Sequence, residues 1–458
     1  MRSQHIILLI LLANGLSIFS CRKSEFLDAK PNKQLIVPTT LDDFQSLMDN
    51  DAIMNQSGGM GDMSSDNYYY SEEDWAAQNM IARNCYKWAK DIYGGTGNIT
   101  DWNLPYQQIL TANVVLEGLE KIDTAQIDIN RYDQIKGEAY FIRANAFLNL
   151  AILFAPAYDS ATATTDAGIP LKVNTDVSSN VQRSSVTDTY QQITHDLDNA
   201  ALFIQSTVPS LNINRPVKPT VYALMSRTFM IMHKYGEAGR YADSSLQLYH
   251  ALIDYNSLDT SSVICFSRFN AEVLFQCNQT MLYPLNGAAG AAQIDSMLYR
   301  SYAVNDLRKN SFYRMTDDGK IILKGTYNGT FALFSGIATN EMYLNKAECD
   351  ARAGNFSSAA NYMNALLSTR FVAGTYVPVH FSDAQEALWF ILKERNKEMP
   401  FSNIRWSDLK RLNKEGYNIV LSRFLNNQII ELTPNSNLYV LPIPPDEISQ
   451  SGIMQNPR

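Results

Sequence analysis

Two stretches decide the fold: VYALMSRTFMIMHKYGEAGRYADSSLQL at 221–248 and NEMYLNKAECDARAGNFSSAANYMNALL at 340–367. Each reads as two apolar-striped helices joined by a tight turn. In the second helix of each unit, a small residue, Ala238 or Ala359, lies where the two helices first make contact. Only a small side chain at this position lets the helices approach closely. This pattern is typical of tetratricopeptide units, and the repeat length fits. The two units are not in tandem, because a long segment separates them.

Most of the remaining chain is also predicted to be helical, because apolar residues recur every three or four positions. The longest such stripe runs over 130–154, and Pro156 ends it because proline cannot continue the hydrogen-bond ladder. The other predicted helices cover 102–122, 186–204, 220–232, 237–251, 340–353, 357–367, 383–398 and 404–412. Helices that dominate the chain in this way predict a mostly α protein rather than βαβ alternation.

Two segments differ from this helical pattern and are interpreted as insertions, 51–101 and 255–335. The first is rich in glycine and aromatic residues, and the second alternates like strands. Within the second, SSVICFSRF and AEVLFQCNQ flank a short turn and predict a β-hairpin over 261–279. Near the end, LYVLPIPPDEI at 438–448 predicts a strand closed by prolines. The expected fold is therefore a helical-repeat scaffold with inserted loops and short β-hairpins.

The N-terminus predicts export. A positive residue, Arg2, precedes an apolar run too short to span a membrane, so residues 1–20 are interpreted as a signal peptide. The sequence IFSC at 18–21 resembles a bacterial lipobox, which predicts cleavage just before Cys21. That cysteine would then carry lipid, including palmitate, and residues 21–38 would form the tether. The domain then occupies 39–458. An ordinary cleaved signal that happens to hold a cysteine is the alternative.

Charge and cysteine usage exclude several classes of partner and site. The net charge of -8 argues against nucleic acid and anionic lipid as ligands, since both require a basic surface. Neither a disulfide framework nor a zinc site is expected, because no two cysteines are spaced as CxxC and the histidines lie far apart. Cys265 and Cys277 could pair across the hairpin, although free thiols are favoured. We expect no cofactor and no metal.

The richest candidate site material lies in 66–106, which holds three of the five tryptophans. Sugar rings stack on aromatic planes, while their hydroxyls bond Asp and Asn side chains. In Tyr68-Tyr69-Tyr70, alternate side chains of an extended stretch face opposite ways, so at least one should be exposed. A second candidate segment is 299–334. The predicted ligand-binding residues are Asp66, Asn67, Tyr69, Trp75, Trp88, Trp102 and Tyr327.

Catalysis is not expected, because the chain lacks the metalloprotease, nucleophile-elbow, Walker and dinucleotide motifs. Glu394 and Glu398 lie one helical turn apart beside cations, the pattern of a solvated, charge-paired face rather than of a glycosidase pair. In RWSDLKR at 405–411, we expect Trp406 to dock in the core while an ion pair between Arg405 and Asp408 closes the helix start.

Six segments in order resemble the SusD/RagB family of Bacteroidetes outer-membrane lipoproteins. Besides the lipidated N-terminus, they are IKGEAYFIRANAFLNLAILFAPAY (135–158), GIPLKV with RSSVTDTYQQITHDLDNA (168–200), NEMYLNKAECDARAGN (340–355), ILKERNKEMPFSNIRWSDLKR (391–411) and YVLPIPPDEISQSGIMQNPR (439–458). The chain departs from the family pattern at Ser402-Asn403, where a Glu-Gly pair is usual.

The resemblance implies a surface-facing, lipid-anchored protein of the outer membrane. It would bind a nutrient, an oligosaccharide first of all, and pass it to a SusC-like TonB-dependent transporter as that transporter's lid. Two alternatives stay open at this point: a peptide-binding uptake lipoprotein, and a tetratricopeptide-type scaffold for other proteins.

Overall fold

The computed structural model describes residues 38–209, 214–280, 285 and 290–458. The predicted signal peptide, Cys21 and nearly all of the predicted tether lie outside these residues. Within the described ranges, no helix combines the length and the apolar character that crossing a membrane requires.

The described chain is mostly helical, and every helix predicted above is present with ends within three residues of the expectation. The helices are α1 (Leu41–Met48), α2 (Asp51–Met54), α3 (Met60–Ser64), α4 (Glu72–Ala76), α5 (Met80–Tyr86), α6 (Thr100–Leu119), α7 (Ile129–Phe154), α8 (Val186–Phe203), α9 (Lys218–Ile231), α10 (Tyr235–Leu248), α11 (Ser296–Ser301), α12 (Arg308–Phe312), α13 (Thr339–Arg352), α14 (Phe356–Ser368), α15 (Ala384–Glu398), α16 (Arg405–Lys414) and α17 (Pro445–Ser451).

The strands are short and pair two by two. They are β1 (Gln56–Ser57), β2 (Tyr68–Tyr69), β3 (Ala167–Pro170), β4 (Arg183–Ser185), β5 (Val273–Phe275), β6 (Asn278–Gln279), β7 (Gln293–Ile294), β8 (Tyr313–Met315), β9 (Ile321–Leu323), β10 (Ile337–Ala338), β11 (Leu421–Leu425) and β12 (Gln428–Leu432). The pairs are β1–β6, which is parallel, and the antiparallel β2–β7, β3–β4, β5–β10, β8–β9 and β11–β12.

The central helix of the first half is α7. Asp128 caps its start, because its carboxylate accepts hydrogen bonds from the N–H groups of Asn130 and Arg131. The helix is buried along most of its length between α6 and α8. Where α6 and α7 approach α8, the side chain of Arg143 forms a buried bidentate pair with Asp196.

The two tetratricopeptide-like units stack directly on each other, although the long segment separates them in sequence. Helix α10 of the first unit packs on α13 of the second. Ala238 and Ala359 are fully buried, as the small-residue prediction requires. Next to Ala238, a Cβ atom on Gly239 would lie 2.8 Å from the Cβ of Cys349. The intervening segment therefore loops out of a continuous helical stack.

This close approach predicts opposite effects for two glycines of one helix. Gly239→Ala should lower the free energy of unfolding by about 1–3 kcal/mol through overpacking. Gly236→Ala is the matched control: nothing lies within 4 Å of its added Cβ, so the gain in helix propensity should stabilise by up to about 1 kcal/mol. Urea unfolding of both variants measures this, and equal effects would show that α10 and α13 do not pack as described.

The two inserted segments are joined to each other by strands. Parallel β1–β6 aligns Gln56 with Asn278, and antiparallel β2–β7 aligns Tyr69 with Gln293. The predicted hairpin over 261–279 is wrong, because β5 pairs with the distant β10 instead. Val273–Phe275 is buried on both faces, so its neighbours come from elsewhere in the chain. Two strand pairs thus connect the two inserted segments to each other.

The strand predicted at 438–448 is wrong. A 3₁₀ turn, Asn437–Tyr439, leads through an extended segment into α17. Within the described residues, the backbone N–H of Leu441 donates a hydrogen bond to the carbonyl of Leu153 at the end of α7, and no ladder of such bonds forms. Cys85, Cys265, Cys277 and Cys349 are all free, so the pairing of Cys265 with Cys277 does not occur.

The solvated face predicted for Glu394 and Glu398 is also wrong, because both side chains are buried in a network of charges. Arg308 contacts Glu394 and Glu398 at 2.6 and 3.0 Å. Arg370 bridges Glu398 to Glu272 with contacts of 2.8 Å. The carboxylates do pair with cations, as predicted. Arg308 and Arg370, however, come from distant parts of the chain, and this face of α15 is buried rather than solvated.

Candidate functional site

The candidate site begins at β2, where the three consecutive tyrosines have different environments. Tyr68 and Tyr70 are 1% and 4% exposed, whereas Tyr69 is 40% exposed, which confirms that one of the three faces solvent. The Tyr69 hydroxyl donates a hydrogen bond to the side-chain oxygen of Gln293 on the paired strand, at 3.1 Å. The ring is therefore held in place by the β2–β7 pair and remains exposed to solvent.

Asp66 is engaged by a protein cation. The guanidinium of Arg405 donates two hydrogen bonds to its carboxylate, at 2.8 and 2.7 Å. Burial works against the charged form, but the Arg405 charge and these hydrogen bonds outweigh it, so the pKa of Asp66 lies below its ordinary value.

The expected pairing of Arg405 with Asp408 is wrong: Asp408 instead accepts from Arg395 and Arg411. Trp406 is fully buried, as predicted.

Asn67 has an unusual environment for a buried amide. Its side chain is buried, and neither its amide nitrogen nor its amide oxygen has a hydrogen-bond partner within the part of the chain that the structure describes. Its backbone carbonyl accepts from the N–H of Asp295. A buried polar group without a partner costs about 1–3 kcal/mol. A molecule that reached this amide would therefore be bound favourably.

Trp75 lies on α4, partly exposed and flanked by two cations. Its indole N–H donates to the carbonyl of Arg83 at 3.2 Å. The Arg83 guanidinium and the Lys87 ammonium lie 5.8 and 5.6 Å from its ring centroid. Helix α4 is also tied to the β8–β9 hairpin by the Asp74–Lys320 ion pair. Trp75 is thus a fixed ring whose surroundings are polar and cationic.

The other three predicted aromatic residues are packed in the interior. Trp88, Trp102 and Tyr327 are 4%, 2% and 3% exposed. Their polar atoms have protein partners: the indole N–H groups donate to the Ser64 carbonyl and to Glu447, and the Tyr327 hydroxyl donates to Glu272. In the described conformation these rings do not join Tyr69 in one open stacking surface. Aromatic density alone does not distinguish packing from binding.

A cleft of about 420 Å³ lies between α5 and the loop before α6, and we name it the methionine cleft. Three methionines supply much of its lining, and methionine adapts its shape to different contacts. Every lining residue is uncharged, which favours uncharged parts of a ligand. The lining consists of Met60, Met63, Asn79, Met80, Ile81, Ala82 and residues 96–100.

Sequence reasoning missed this cleft. The signals that could have found it are the methionines in glycine-rich MNQSGGMGDM (54–63) and the loop YGGTGN (93–98), whose Gly94 and Gly95 have positive φ. Among the described residues, no group of three or more His, Cys, Asp or Glu side chains could hold a metal ion.

The fold defines a class of helical-repeat scaffolds that carry inserted loops, and the methionine cleft lies within one of these inserted segments. Two family models match the chain. One is described as "Starch-binding associating with outer membrane" and matches residues 25–230, and the other is described as "SusD family" and matches residues 337–458. The chain belongs to the SusD family.

Solved structures share the fold at low sequence identity. A putative sugar binding protein from Bacteroides vulgatus is 19% identical, with a TM-score of 0.73 over 92% of this chain and 99% of its own. A SusD superfamily protein from Bacteroides thetaiotaomicron is 21% identical, with a TM-score of 0.72 over 92% and 100%. A SusD-like carbohydrate binding protein from B. vulgatus is 18% identical, with a TM-score of 0.70 over 91% and 97%. A comparison with curated proteins gives no match.

Proposed function

We propose that this protein binds a neutral oligosaccharide at the cell surface and delivers it to a SusC-like TonB-dependent transporter in the outer membrane. The observation that carries the proposal is the uncharged methionine cleft. Two rings on the preceding elements support it: Tyr69 on β2 is exposed, and Trp75 on α4 is partly exposed. Stacking on such rings with hydrogen bonds from flanking amides and hydroxyls is how proteins hold sugar rings. The named relatives that bind sugars support the ligand class.

Trp75→Ala should weaken oligosaccharide binding about 10-fold, because loss of an aromatic contact of this kind corresponds to about 1.4 kcal/mol. Calorimetric titration of the purified protein with linear neutral oligosaccharides measures this. Trp389→Ala is the matched control, since Trp389 is an exposed tryptophan on α15 with Lys393 over its ring at 3.9 Å. Equal affinities of the two variants would contradict a role for Trp75.

Peptide binding is the second candidate, and one observation favours it. Arg83 and Lys87 beside Trp75 would suit an acidic or C-terminal carboxylate, and methionine-lined surfaces accommodate varied side chains. The same titration with acidic and neutral peptides separates the two. Binding of peptides with no response to any oligosaccharide would overturn the saccharide proposal while leaving nutrient uptake in place.

The proposal places Cys21 as the lipid-bearing residue that anchors the protein, with residues 21–38 as its tether. Cys21→Ser should move the protein from the membrane fraction to the soluble fraction and leave oligosaccharide affinity unchanged, because the cleft lies within the folded domain. Fractionation in cells lacking the partner transporter is the measurement, with Cys265→Ser as the control for loss of a thiol. Retention of the Cys21→Ser protein on membranes would contradict the anchor.

A further inference from the structure

A second cleft, of about 330 Å³, lies against the first turns of α6, and its lining differs in character from the methionine cleft. It is formed by α6, the segment that follows β3, and α17. Polar side chains from all three contribute: Gln107 from α6, Lys172 and Asn174 from the segment, and Glu447 from α17. We name it the polar cleft.

The segment after β3 is held in place by hydrogen bonds from side chains of α6. Asn113, which is buried on α6, donates hydrogen bonds to the carbonyls of Lys172 and Asn174, at 3.0 and 2.8 Å. The oxygen of the same amide accepts from Arg143 at 2.8 Å, so its orientation is fixed. Thr175 is held in turn by Glu117, through its backbone N–H and its hydroxyl. The side chains of Lys172 and Asn174 are therefore presented by a fixed backbone.

The chemistry of the polar cleft matches a ligand rich in hydroxyl groups. The Lys172 ammonium lies 5.7 Å from the centre of the Tyr106 ring and forms no ion pair with any residue that the structure describes. Asp176 and Glu447 line the same space, and one oxygen of each carboxylate accepts within the protein, from Ser178 and from the Trp102 indole. Donors and acceptors of both charge signs around a partly exposed ring suit hydroxyls, which donate and accept at once, better than they suit an anion or a cation.

The two clefts meet at the start of α6. Asn98 lines the methionine cleft and Asn103 lines the polar cleft, and the Asn103 side-chain N–H donates to the Asn98 side-chain oxygen at 2.7 Å. We name the Asn98–Asn103 contact the Asn98–Asn103 ridge. Helix α17 holds it in place, because Asp446 accepts from the Asn98 backbone N–H and Glu447 accepts from the Trp102 indole. A side-chain hydrogen bond therefore links a lining residue of one cleft to a lining residue of the other.

We propose that the polar cleft is a further subsite for the same ligand, so that one extended oligosaccharide crosses the Asn98–Asn103 ridge and occupies both clefts. The inference rests on the proposed function and adds to it a ligand length and a second set of contacts. Units in the methionine cleft make apolar contacts, and units in the polar cleft bond Gln107, Lys172, Asp176 and Glu447.

The test uses linear oligosaccharides of glucose, xylose or mannose with two to eight units, titrated against the protein and two variants. The double variant Gln107→Ala/Lys172→Met should bind six- to eight-unit chains at least 10-fold more weakly and disaccharides within twofold of the unchanged protein. Neither side chain has a hydrogen-bond partner among the described residues, so the fold should be retained, which thermal unfolding checks. Met80→Ala, in the methionine cleft, should weaken binding of every length.

A fluorine label gives an independent reading of the polar cleft. With 5-fluorotryptophan incorporated and the Trp102 signal assigned through Trp102→Phe, octasaccharides should shift that signal and disaccharides should not. Unchanged binding of long chains by the double variant, with weaker binding by Met80→Ala, would overturn the second subsite and leave the proposed function standing. An equal loss for disaccharides would overturn the division between the clefts. If no oligosaccharide bound the unchanged protein, the proposed function would fall, and this inference with it.

Discussion

Arg308→Met is expected to lower the free energy of unfolding by about 3–5 kcal/mol, the cost of leaving buried carboxylates without their cation. The Arg308 side chain is fully buried and donates to three acids at once: Asp306, Glu394 and Glu398. Lys397 and Arg370 still contact these acids in the variant, but only these two cations then remain for four buried acids, the fourth being Glu272. Methionine fills a similar volume, so the loss measures charge rather than a cavity.

Urea unfolding at pH 7 measures this effect, and Arg131→Met is the matched control. Arg131 pairs with Asp42 at 2.5 Å, but both side chains are well exposed, so its loss should cost no more than about 1 kcal/mol. The deficit of Arg308→Met should shrink as the pH falls, because protonation of the orphaned carboxylates removes the repulsion. A deficit below 1 kcal/mol, or one independent of pH, would contradict the account of this network.

Glu138→Gln is expected to remove a large part of the pH dependence of stability. Glu138 is buried on α7, where Gln134 and Gln45 each donate one hydrogen bond to its carboxyl group at 2.9 Å. Burial outweighs these bonds and raises the pKa of Glu138 from 4.5 to about 7. The folded protein therefore keeps a proton that the unfolded chain loses near pH 4.5.

The sign of the effect follows from this difference in bound protons. Between pH 4.5 and 7 the folded state binds more protons, so stability falls as the pH rises, and it has fallen on the order of 3 kcal/mol above pH 7. Unfolding at pH 5 and at pH 8 should show that Glu138→Gln gains on the order of 2–3 kcal/mol relative to the unchanged protein over this range. Asp62, whose pKa is raised to about 6, acts in the same direction, but it is present in both proteins and cancels. Parallel pH profiles would contradict the buried, protonated Glu138.

The sequence predicts the helices well because their determinants are local. The stripe on α7, the cap at Asp128 and the stop at Pro156 lie within one stretch of chain. The failures concern contacts between distant segments. Strand β5 is a short apolar run whose partner, β10, lies some sixty residues further on. Likewise, nothing near Glu398 in the sequence indicates that Arg308 and Arg370 bury it.

The candidate site was predictable only where local geometry decides exposure. Alternation in an extended stretch correctly predicts an exposed tyrosine among residues 68–70. By contrast, Trp88 is buried because its ring packs against Arg423, which belongs to the distant hairpin β11–β12. The methionine cleft depends on how the loop before α6 folds against α5, and no periodic pattern encodes that arrangement.

The separation of the two stacked units has a consequence for the order in which the chain can fold. Helix α10 ends at Leu248, and α13, which covers it, begins only at Thr339. Until α13 has docked, the face around Ala238 and Gly239 has no partner helix. Closing so long a loop also slows the search for the native contact, so we expect the docking of α13 to be a late step.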